Sequence, residues 1–380
     1  MENRACMLGR SSLGFAFSGE DIGKAIAAQS KSKLGFQEKG AVLMSHTYIP
    51  GDYNPSAGLS VFETQKAIDT IKIAFIRGLE KALCLTRVSA PLFVEASSGL
   101  NDDLNSVERP VSFDTKEAGI TAQVVHSLAK WKRYALYRYG FQPGYGICTD
   151  MNAIRRDEDL DNLHSIYVDQ WDWEAIIPEG KRNEAYLKET VKKIVGVICD
   201  TSEKLRGEYP GIGPVLSREV SFITAQELED LYPDNTPKER ENLYVREHPT
   251  TFIMQIGGRL RSGEKHDGRA PDYDDWKLNG DILIWDDVLG CALEVSSMGI
   301  RVDARSMDAQ LREAGCDERR KYPFHQKVLD GTLPLTIGGG IGQSRLCMLL
   351  LGKVHIGEVQ VSVWDEETKR ACEEAGVPLL

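Results

Sequence analysis

Segments in which apolar and polar residues alternate recur close together along this chain, and they limit the fold more than any other feature of the sequence. They cover residues 121–128, 164–173, 280–285 and 291–297. Such alternation is typical of strands with one buried face. Short turns join some of these segments, and helical stretches lie at 183–205 and 225–231. The pattern predicts an α+β fold, with an antiparallel or mixed sheet flanked by helices, and not a repeating βαβ fold.

The composition excludes several classes of protein. The 380 residues are 42% hydrophobic and 27% charged, as in an ordinary globular protein. Lys and Arg total 46 against 57 Asp and Glu, which gives a net charge of -11. Because phosphate binding along a nucleic acid needs clustered cations, we expect no nucleic-acid partner. The chain has no Gly-x-x-x-x-Gly-Lys-Ser/Thr sequence, which excludes a P-loop ATPase.

The expected location of the protein follows from patterns that the sequence lacks. No stretch approaches the roughly 18 to 20 apolar residues of a membrane span, so no membrane association is expected. The eight Cys residues include no Cys-x-x-Cys pair and are expected to be reduced. The N-terminus has Glu2 and no apolar run typical of a secretory signal. We therefore expect a cytoplasmic protein.

Residues 1–60 differ from the rest of the chain. They are rich in Ser, Gly, Ala and Lys, which predicts a partly ordered N-terminal extension. A single domain is predicted for residues 61–380. It begins with a helix whose apolar stripe consists of Ile68, Ile71, Phe75 and Leu79. Alternation at 88–94, with Pro91 inside it, predicts an edge or interface strand.

Two segments concentrate positive charge. Residues 126–133 read HSLAKWKR. These cations either hold anionic groups of a substrate or start a solvated helix, which is the more frequent arrangement. Residues 152–159 read NAIRRDED. Here Arg155 and its acidic neighbours form either a surface ion-pair network or an arginine presented to a phosphate.

A third segment, HSIYVDQWDWE at 164–174, has a strand pattern with two different faces. In a strand, Gln170 and Asp172 share one face, and Trp171 and Trp173 share the other. The tryptophans would anchor the strand in a core. The amide and carboxylate opposite them favour a pocket, although an exposed polar face has the same pattern.

A predicted hairpin brings two carboxylates together. If residues 281–286 pair with 289–294, Asp281 lies directly opposite Glu294 on the same face. Facing like charges destabilise a sheet, and a divalent cation between them would remove that repulsion. Mg²⁺ prefers one or two carboxylates plus substrate phosphates, so these residues are candidate magnesium ligands. A slip of one residue in the register would put them on opposite faces.

The last segment is a glycine run, TIGGGIGQSRL at 336–346, before an apolar helix at 344–351. Glycines let a backbone pass close to a bulky ligand, so Gly340 is assigned to nucleotide binding. Arg345 lies in the first turn of the helix and is suited to an adenine or a phosphate. The alternative is a tight strand-to-helix turn with an ordinary surface arginine.

Together these segments resemble the ammonia-dependent asparagine synthetase family (asparagine synthetase A). The resemblance extends from about Val61 to the C-terminus and is carried, in the family's order, by HSLAKWKR, HSIYVDQWDWE, RAPDYDDW, LNGDILIW, SSMGIRVDA and TIGGGIGQSRL. It implies a class II aminoacyl-tRNA synthetase-like fold, an antiparallel sheet flanked by helices, with one catalytic domain at 61–380. It also implies a homodimer with residues 88–91 at its interface.

The resemblance implies the chemistry and its residues. L-aspartate, ATP and ammonia would give L-asparagine through a β-aspartyl-adenylate, with release of AMP and pyrophosphate. Arg155 would lie on the ATP α-phosphate and Arg345 at the adenine and distal phosphates. The positions around the amino-acid substrate are Asp102, Ser127, Lys132, Gln170, Asp172 and Ser297. Those around nucleotide and Mg²⁺ are Asp274, Asp281, Glu294 and Arg301. Asp102, Lys132, Arg155 and Arg345 are the expected catalytic residues.

Asp102 has two possible roles. Most ammonia is ammonium at neutral pH, so a carboxylate must bind it and accept a proton. Asp102 either does this or holds the α-ammonium group of the substrate. Three features depart from the bacterial family pattern: the extension before Val61, a short link at 276–279, and Asp103 where asparagine is usual.

Two other functions remain to be separated from this one. A tRNA synthetase would carry an anticodon-binding domain, for which the extension is too short, and a non-catalytic relative would have lost charged site residues. Glutamine is not expected as the nitrogen donor. Amidotransferases that use glutamine often have an N-terminal Cys as nucleophile, and the first cysteine here is Cys6.

Overall fold

A computed structural model of the protein describes residues 47–102 and 108–380. Within these residues the strands are β1 (Leu85–Arg87), β2 (Phe93–Glu95), β3 (Ser112–Asp114), β4 (Thr121–Val124), β5 (Gly146–Ile154), β6 (Tyr167–Ile176), β7 (Ser221–Thr224), β8 (Thr250–Met254), β9 (Asp274–Asp286), β10 (Cys291–Arg301) and β11 (Thr336–Gly342). The α-helices are α1 (Val61–Leu83), α2 (Ala129–Tyr139), α3 (Glu184–Glu208), α4 (Ala225–Leu231), α5 (Pro237–Glu247), α6 (Ala304–Glu313), α7 (Pro323–Leu329), α8 (Gln343–Leu351) and α9 (Glu366–Glu374).

The main sheet has the strand order β1-β5-β6-β11-β10-β9-β8-β7. Its inner pairs are antiparallel, and the pairs at its two edges, β1 with β5 and β7 with β8, are parallel. Strands β2, β4 and β3 form a smaller antiparallel sheet. The predicted α+β fold, with an antiparallel sheet flanked by helices, is confirmed.

One face of the main sheet carries the largest core. Helix α1 packs there through the predicted stripe, and Phe75 contacts Trp171 of β6 with ring centroids 4.6 Å apart. Trp171 and Trp173 are buried in this core together with residues of α3 and α8. Each large apolar side chain buried in this way contributes roughly 1.5–3 kcal/mol. The opposite face of the same strands is therefore available for polar side chains.

The helices begin where the sequence supplies capping residues. Ser60 and Glu63 form a reciprocal capping box at the start of α1, and Asn183 caps α3. Such caps satisfy backbone N–H groups and are typically worth about 1 kcal/mol each. In the described ranges, no helix has both the length and the apolar composition needed to cross a bilayer.

The strand predicted at 88–94 is wrong. The chain pairs as β1 before this segment and as β2 near its end, and the residues between are irregular. Pro91 has no backbone N–H and also restricts Ala90, so the ladder is interrupted there.

The glycine run forms a central strand of the main sheet. Strand β11 lies between β6 and β10, and α8 follows it directly. A Cβ at Gly340 would collide with the side-chain oxygen of Gln170, and one at Gly339 would press on Met298. The glycines are therefore required because neighbouring side chains cross over this strand.

The predicted division at residue 61 stays a prediction, since residues 1–46 of the extension lie outside the described residues. Asp103 also lies outside them.

Candidate active site

A cavity of about 360 Å³ opens on the polar face of the central strands β6, β11 and β10. Most of the site residues predicted from the sequence line it together. They are Asp102, Ser127, Lys132, Arg155, Gln170, Asp172, Asp274, Glu294, Ser297, Arg301, Gly340 and Arg345. Asp281 instead lines a neighbouring cavity of about 200 Å³, which shares Glu294 and Asp267 with the first.

The cations of the 126–133 segment are buried, so the interpretation of a solvated helix start is wrong. Lys130 donates to Asp272 at 3.1 Å, and Arg133 donates to the carbonyl oxygen of Val302 at 2.7 Å. Lys132 is 1% exposed and lines the cavity. Buried charges of this kind are stable only when they are paired or hydrogen-bonded, and each of these three cations donates to an acceptor inside the protein.

Lys132 makes an ion pair with Asp172 on the floor of the cavity. Its Nζ also donates to the carbonyl oxygen of Gly339 at 2.9 Å. Burial lowers the pKa of Lys132, while the Asp172 carboxylate acts in the opposite direction. An ammonium has three donors, and these two acceptors leave one for a ligand. Asp172 Oδ2 is buried without a hydrogen-bond partner among the described residues.

The two faces of β6 are arranged as the alternation predicted. Gln170 and Asp172 line the cavity, and Trp171 and Trp173 lie in the core. The same period of two puts Glu174 on the cavity side, below the lining residues.

Arg301 lies beneath the cavity between two carboxylates. Its Nη2 donates to Glu174 at 2.8 Å, and its Nη1 pairs with Asp274. Thr336 Oγ1 also donates to Glu174, at 2.7 Å. Burial raises the pKa of Asp274 despite the opposing charge of Arg301. Arg301 and Asp274 thus both line the cavity, and their contact holds each of them in place.

Two arginines line the cavity, and they follow the two strands on either side of β6 in the sheet. Arg155 follows β5 and is 3.6 Å from the Glu158 carboxylate. Arg345 lies in the first turn of α8, donates to the carbonyl oxygen of Glu294 at 3.2 Å and is 3.9 Å from its carboxylate. Both arginine side chains remain partly exposed, at 23% and 21%. Loosely paired, partly exposed guanidinium groups suit the binding of phosphate oxygens.

The predicted hairpin register around Asp281 is wrong. Glu294 pairs with Leu283, and Asp281 pairs with Ser297. The connecting turn is longer than expected, and a bulge at Val295 shifts the register again. The two carboxylates nevertheless share a face, because Asp281 lies two residues from Leu283 on the same strand. They are diagonal neighbours and not a directly opposed pair.

Arg269 holds the Asp281 carboxylate through both of its oxygens. Burial raises the pKa of Asp281 to about 7, although Arg269 opposes this, and the nearby Glu294 adds to the rise. The described residues hold no group of three or more His, Cys, Asp or Glu that would bind a metal unaided. Asp281 and Glu294 supply only two carboxylates, which is the protein contribution that Mg²⁺ uses when substrate phosphates complete its coordination.

Asp102 is held at the cavity by its backbone. Its carbonyl oxygen accepts a hydrogen bond from His126 Nδ1 at 2.9 Å, and its N–H donates to Asn101 Oδ1 at 2.9 Å. The nearby Ser127 Oγ accepts from the N–H of Ala129 at 3.3 Å, just before α2.

Sequence reasoning missed three residues of this site. Glu174 continues the alternation of Gln170 and Asp172, so the period alone would have found it. Arg269 and Tyr273 both belong to the quoted RAPDYDDW segment and line the cavity. Burial raises the pKa of Tyr273 well above its usual value. No local pattern distinguished either residue from its neighbours.

Solved structures with a similar fold include asparaginyl-tRNA synthetases. The asparaginyl-tRNA synthetase of Entamoeba histolytica in complex with asparaginyl-adenylate has a TM-score of 0.57 at 12% identity, over 79% of this chain and 66% of that one. The Pyrococcus horikoshii asparaginyl-tRNA synthetase complexed with asparaginyl-adenylate has a TM-score of 0.56 at 15% identity, over 79% and 68%. The predicted class II aminoacyl-tRNA synthetase-like fold is confirmed.

Sequence relatives are much closer. The aspartate–ammonia ligase of Clostridium perfringens (strain 13 / Type A) is 58% identical over 338 residues, which cover 89% of this chain and 100% of the relative. That of Fusobacterium nucleatum subsp. nucleatum is 58% identical over 324 residues, which cover 85% and 99%. Residues 62–376 match the AsnA family, described as aspartate-ammonia ligase. The suspected resemblance is confirmed: the chain belongs to the AsnA family of aspartate–ammonia ligases.

Proposed function

We propose that this protein makes L-asparagine from L-aspartate, ammonia and ATP through a β-aspartyl-adenylate, and releases AMP and pyrophosphate. One observation carries the proposal: a single cavity joins a buried lysine–carboxylate floor to two partly exposed arginines, in a member of this family. The floor suits an amino acid, and the arginines suit the phosphates that activate it.

Aspartate binds at the floor of the cavity. Lys132 holds a carboxylate of the substrate with its remaining N–H donor, and Gln170 and Asp172 fix the orientation from the same face of β6. Ser127 and Ser297 line the same cavity and complete the polar wall. The buried pair of Lys132 with Asp172 supports this role, because it presents a rigid donor in a site of low dielectric.

Adenylation takes place between the two arginines. The side-chain carboxylate of aspartate attacks the α-phosphate of ATP, and pyrophosphate leaves. Arg155 stabilises the charge on the α-phosphate, while Arg345 binds the adenine and distal phosphates. Gly340 gives the ligand close access to β11. Arg301 and Asp274 form the charged support below the nucleotide, since they are bound to each other and to Glu174.

Mg²⁺ is the proposed metal, held by Asp281 and Glu294. The ion would neutralise negative charge on the phosphates when bound. Each Asp281 oxygen that accepts from Arg269 keeps a second lone pair, so the existing ion pair is compatible with a metal. Arg269 therefore fixes the carboxylate in place and favours its ionised form.

Ammonia attacks the adenylate in the second step. Ammonium is the main form at neutral pH, so a base must take its proton. We assign this to Asp102, whose backbone is fixed by His126 and Asn101 at the cavity edge. Its alternative role, binding the α-ammonium group of aspartate, uses the same position.

We further propose a cytoplasmic homodimer. The segment 88–91 and the small sheet beside it support the assembly, because Leu92, Phe93 and Phe113 expose 53%, 48% and 38% of their surfaces there. The rings of Phe93 and Phe113 pack edge to face, 5.2 Å apart. An exposed cluster of large apolar side chains is typical of a protein interface.

Product formation with each nitrogen donor tests the function. The protein is incubated with ATP, Mg²⁺ and aspartate, and ammonium or glutamine is added while AMP and asparagine are measured. Asparagine formation with ammonium and without tRNA is expected. No asparagine, together with transfer of aspartate to tRNA, would show that the protein charges tRNA instead.

A further inference from the structure

Asn162 joins three separate segments of the chain beside the active-site cavity. Its Oδ1 accepts a hydrogen bond from the N–H of Tyr48, and its Nδ2 donates to the carbonyl oxygens of Tyr48 and Val354, all at 2.7 Å. Its own carbonyl oxygen accepts from the N–H of Ile356 at 2.8 Å. The residue is buried, so both amide donors and the amide acceptor are used inside the protein.

Two of the joined segments form a wall of the cavity. Leu163 and His164, which follow Asn162 in the chain, line it, and so does Ile356. The carbonyl oxygen of Leu163 also accepts from Nε of Arg345 at 3.5 Å. The position of this loop is therefore linked to an arginine assigned to the nucleotide. Asn162 does not line the cavity, so it acts through these neighbours.

The third segment, residues 47–58, precedes α1 and is anchored independently. Thr47 Oγ1 is 3.0 Å from Thr368 Oγ1, and Tyr53 OH donates to the Glu358 carboxylate at 3.3 Å. Glu358 is buried, so this second anchor lies within the fold. The segment is thus held at both sides of the point where Asn162 contacts it.

We propose that Asn162 is a positioning residue for the nucleotide, and that residues 47–58 act through it as a support for the cavity wall. The amide fixes the loop that carries Leu163 and His164, and with it the carbonyl oxygen that accepts from Arg345. The proposal rests on ATP binding in this cavity. It assigns to the segment before α1 a role in substrate affinity and not only in stability.

Two substitutions break the contact in different ways. Asn162→Asp keeps the acceptor for Tyr48 but places a carboxylate against two carbonyl oxygens. Tyr48→Pro removes the N–H that donates to Asn162 Oδ1 and leaves Asn162 itself unchanged, although it also removes the tyrosine ring and restricts the backbone at Thr47. In aspartate-dependent ATP–pyrophosphate exchange, we expect Asn162→Asp to raise KM for ATP roughly tenfold, and Tyr48→Pro to raise it by less. The KM for aspartate and kcat should change by less than about twofold, because the aspartate floor is not touched.

Asn183→Ala is the matched control. It removes the cap of α3, where Asn183 Oδ1 accepts from the N–H of Tyr186 at 3.0 Å, and Asn183 lines neither cavity. This variant should lower Tm while KM for ATP stays at the wild-type value. Equal KM values for ATP in wild type, Asn162→Asp and Tyr48→Pro would overturn the inference. If Asn162→Asp does not fold, Tyr48→Pro carries the comparison.

Direct binding separates this inference from the proposed function. Calorimetric titration with ATP measures affinity without any turnover. A wild type that binds ATP but makes no asparagine would refute the proposed reaction, and weaker ATP binding by Asn162→Asp would still support the inference. Equal ATP affinity in both proteins would refute the inference alone.

Discussion

Arg301 and Glu174 form a buried ion pair below the active-site cavity, with Arg301 Nη2 2.8 Å from Glu174 Oε2. Removing Arg301 would leave two buried carboxylates without their cation, and removing Glu174 would leave the buried guanidinium with Asp274 as its one remaining ion-pair partner among the described residues. The pair also determines where Asp274 lies, since Arg301 contacts both carboxylates. The Arg301–Glu174 pair is part of the protein interior, and it fixes Arg301 and Asp274, which we assign to nucleotide binding.

We expect Glu174→Gln to destabilise the protein by roughly 3 kcal/mol, because it removes one partner of this buried pair. Urea unfolding measures the change. Glu184→Gln is the control, since Glu184 pairs with Lys188 on the surface and its side chain is 48% exposed. That substitution should cost no more than about 0.5 kcal/mol. Equal stability of the two variants would contradict the structural importance of the Arg301 pair.

The two adjacent arginines after β5 should differ sharply in function. Arg155 lines the cavity, whereas Arg156 is exposed and does not. Loss of one charged group that stabilises a transition state typically lowers the rate by about 10²–10³. We expect a loss of this size, in aspartate-dependent ATP–pyrophosphate exchange, for Arg155→Ala and near wild-type rates for Arg156→Ala. Similar rates for both variants would show that Arg155 does not act on the α-phosphate.

Side-chain alternation located much of the site before the structure was known. The faces of β6 follow from the backbone alone, so Gln170 and Asp172 on one side and the two tryptophans on the other were predictable. The hairpin register was not. It depends on turn length and on the bulge at Val295, which alternation does not reveal.

Long-range contacts account for the other differences. The burial of Lys130 depends on Asp272, which is 142 residues away in the sequence. The glycine run in β11 is explained by the approach of the Gln170 and Met298 side chains from neighbouring strands, which no local pattern records.

Magnesium binding should depend on pH through Asp281. Burial raises the pKa of this carboxyl to about 7, against the effect of Arg269. A metal ligand must be deprotonated, so protons compete with Mg²⁺ below this pKa. Apparent Mg²⁺ affinity should rise roughly tenfold per pH unit between about pH 5 and pH 7 and then level off.

Calorimetric titration of Mg²⁺ in the presence of a non-hydrolysable ATP analogue measures this dependence. Asp281→Asn should bind Mg²⁺ more weakly and with a flatter pH profile. A wild-type profile with no slope below pH 7, or the same slope in the variant, would show that Asp281 is not the titrating ligand.

A charge in the apolar patch of the small sheet should disrupt the proposed dimer. Phe93 is 48% exposed and packs on Phe113. Glu at this position would have to be desolvated in an interface, so Phe93→Glu should shift the assembly to a single chain. Light scattering after size exclusion gives the mass. Phe62→Glu, at a position 72% exposed on α1, is the control and should retain twice the chain mass.

Asp102 decides how the ammonia step works. If it accepts the proton of ammonium, Asp102→Asn should keep aspartate-dependent ATP–pyrophosphate exchange and slow asparagine formation by about 10²-fold, as expected for loss of a general base. Asp114→Asn, at an exposed position of β3, should change neither rate. Loss of both exchange and asparagine formation in Asp102→Asn would instead place this carboxylate on the α-ammonium group of aspartate. The KM for ammonium separates the two roles further. If Asp102 binds ammonium, Asp102→Asn should raise the KM for ammonium while the KM for aspartate stays constant.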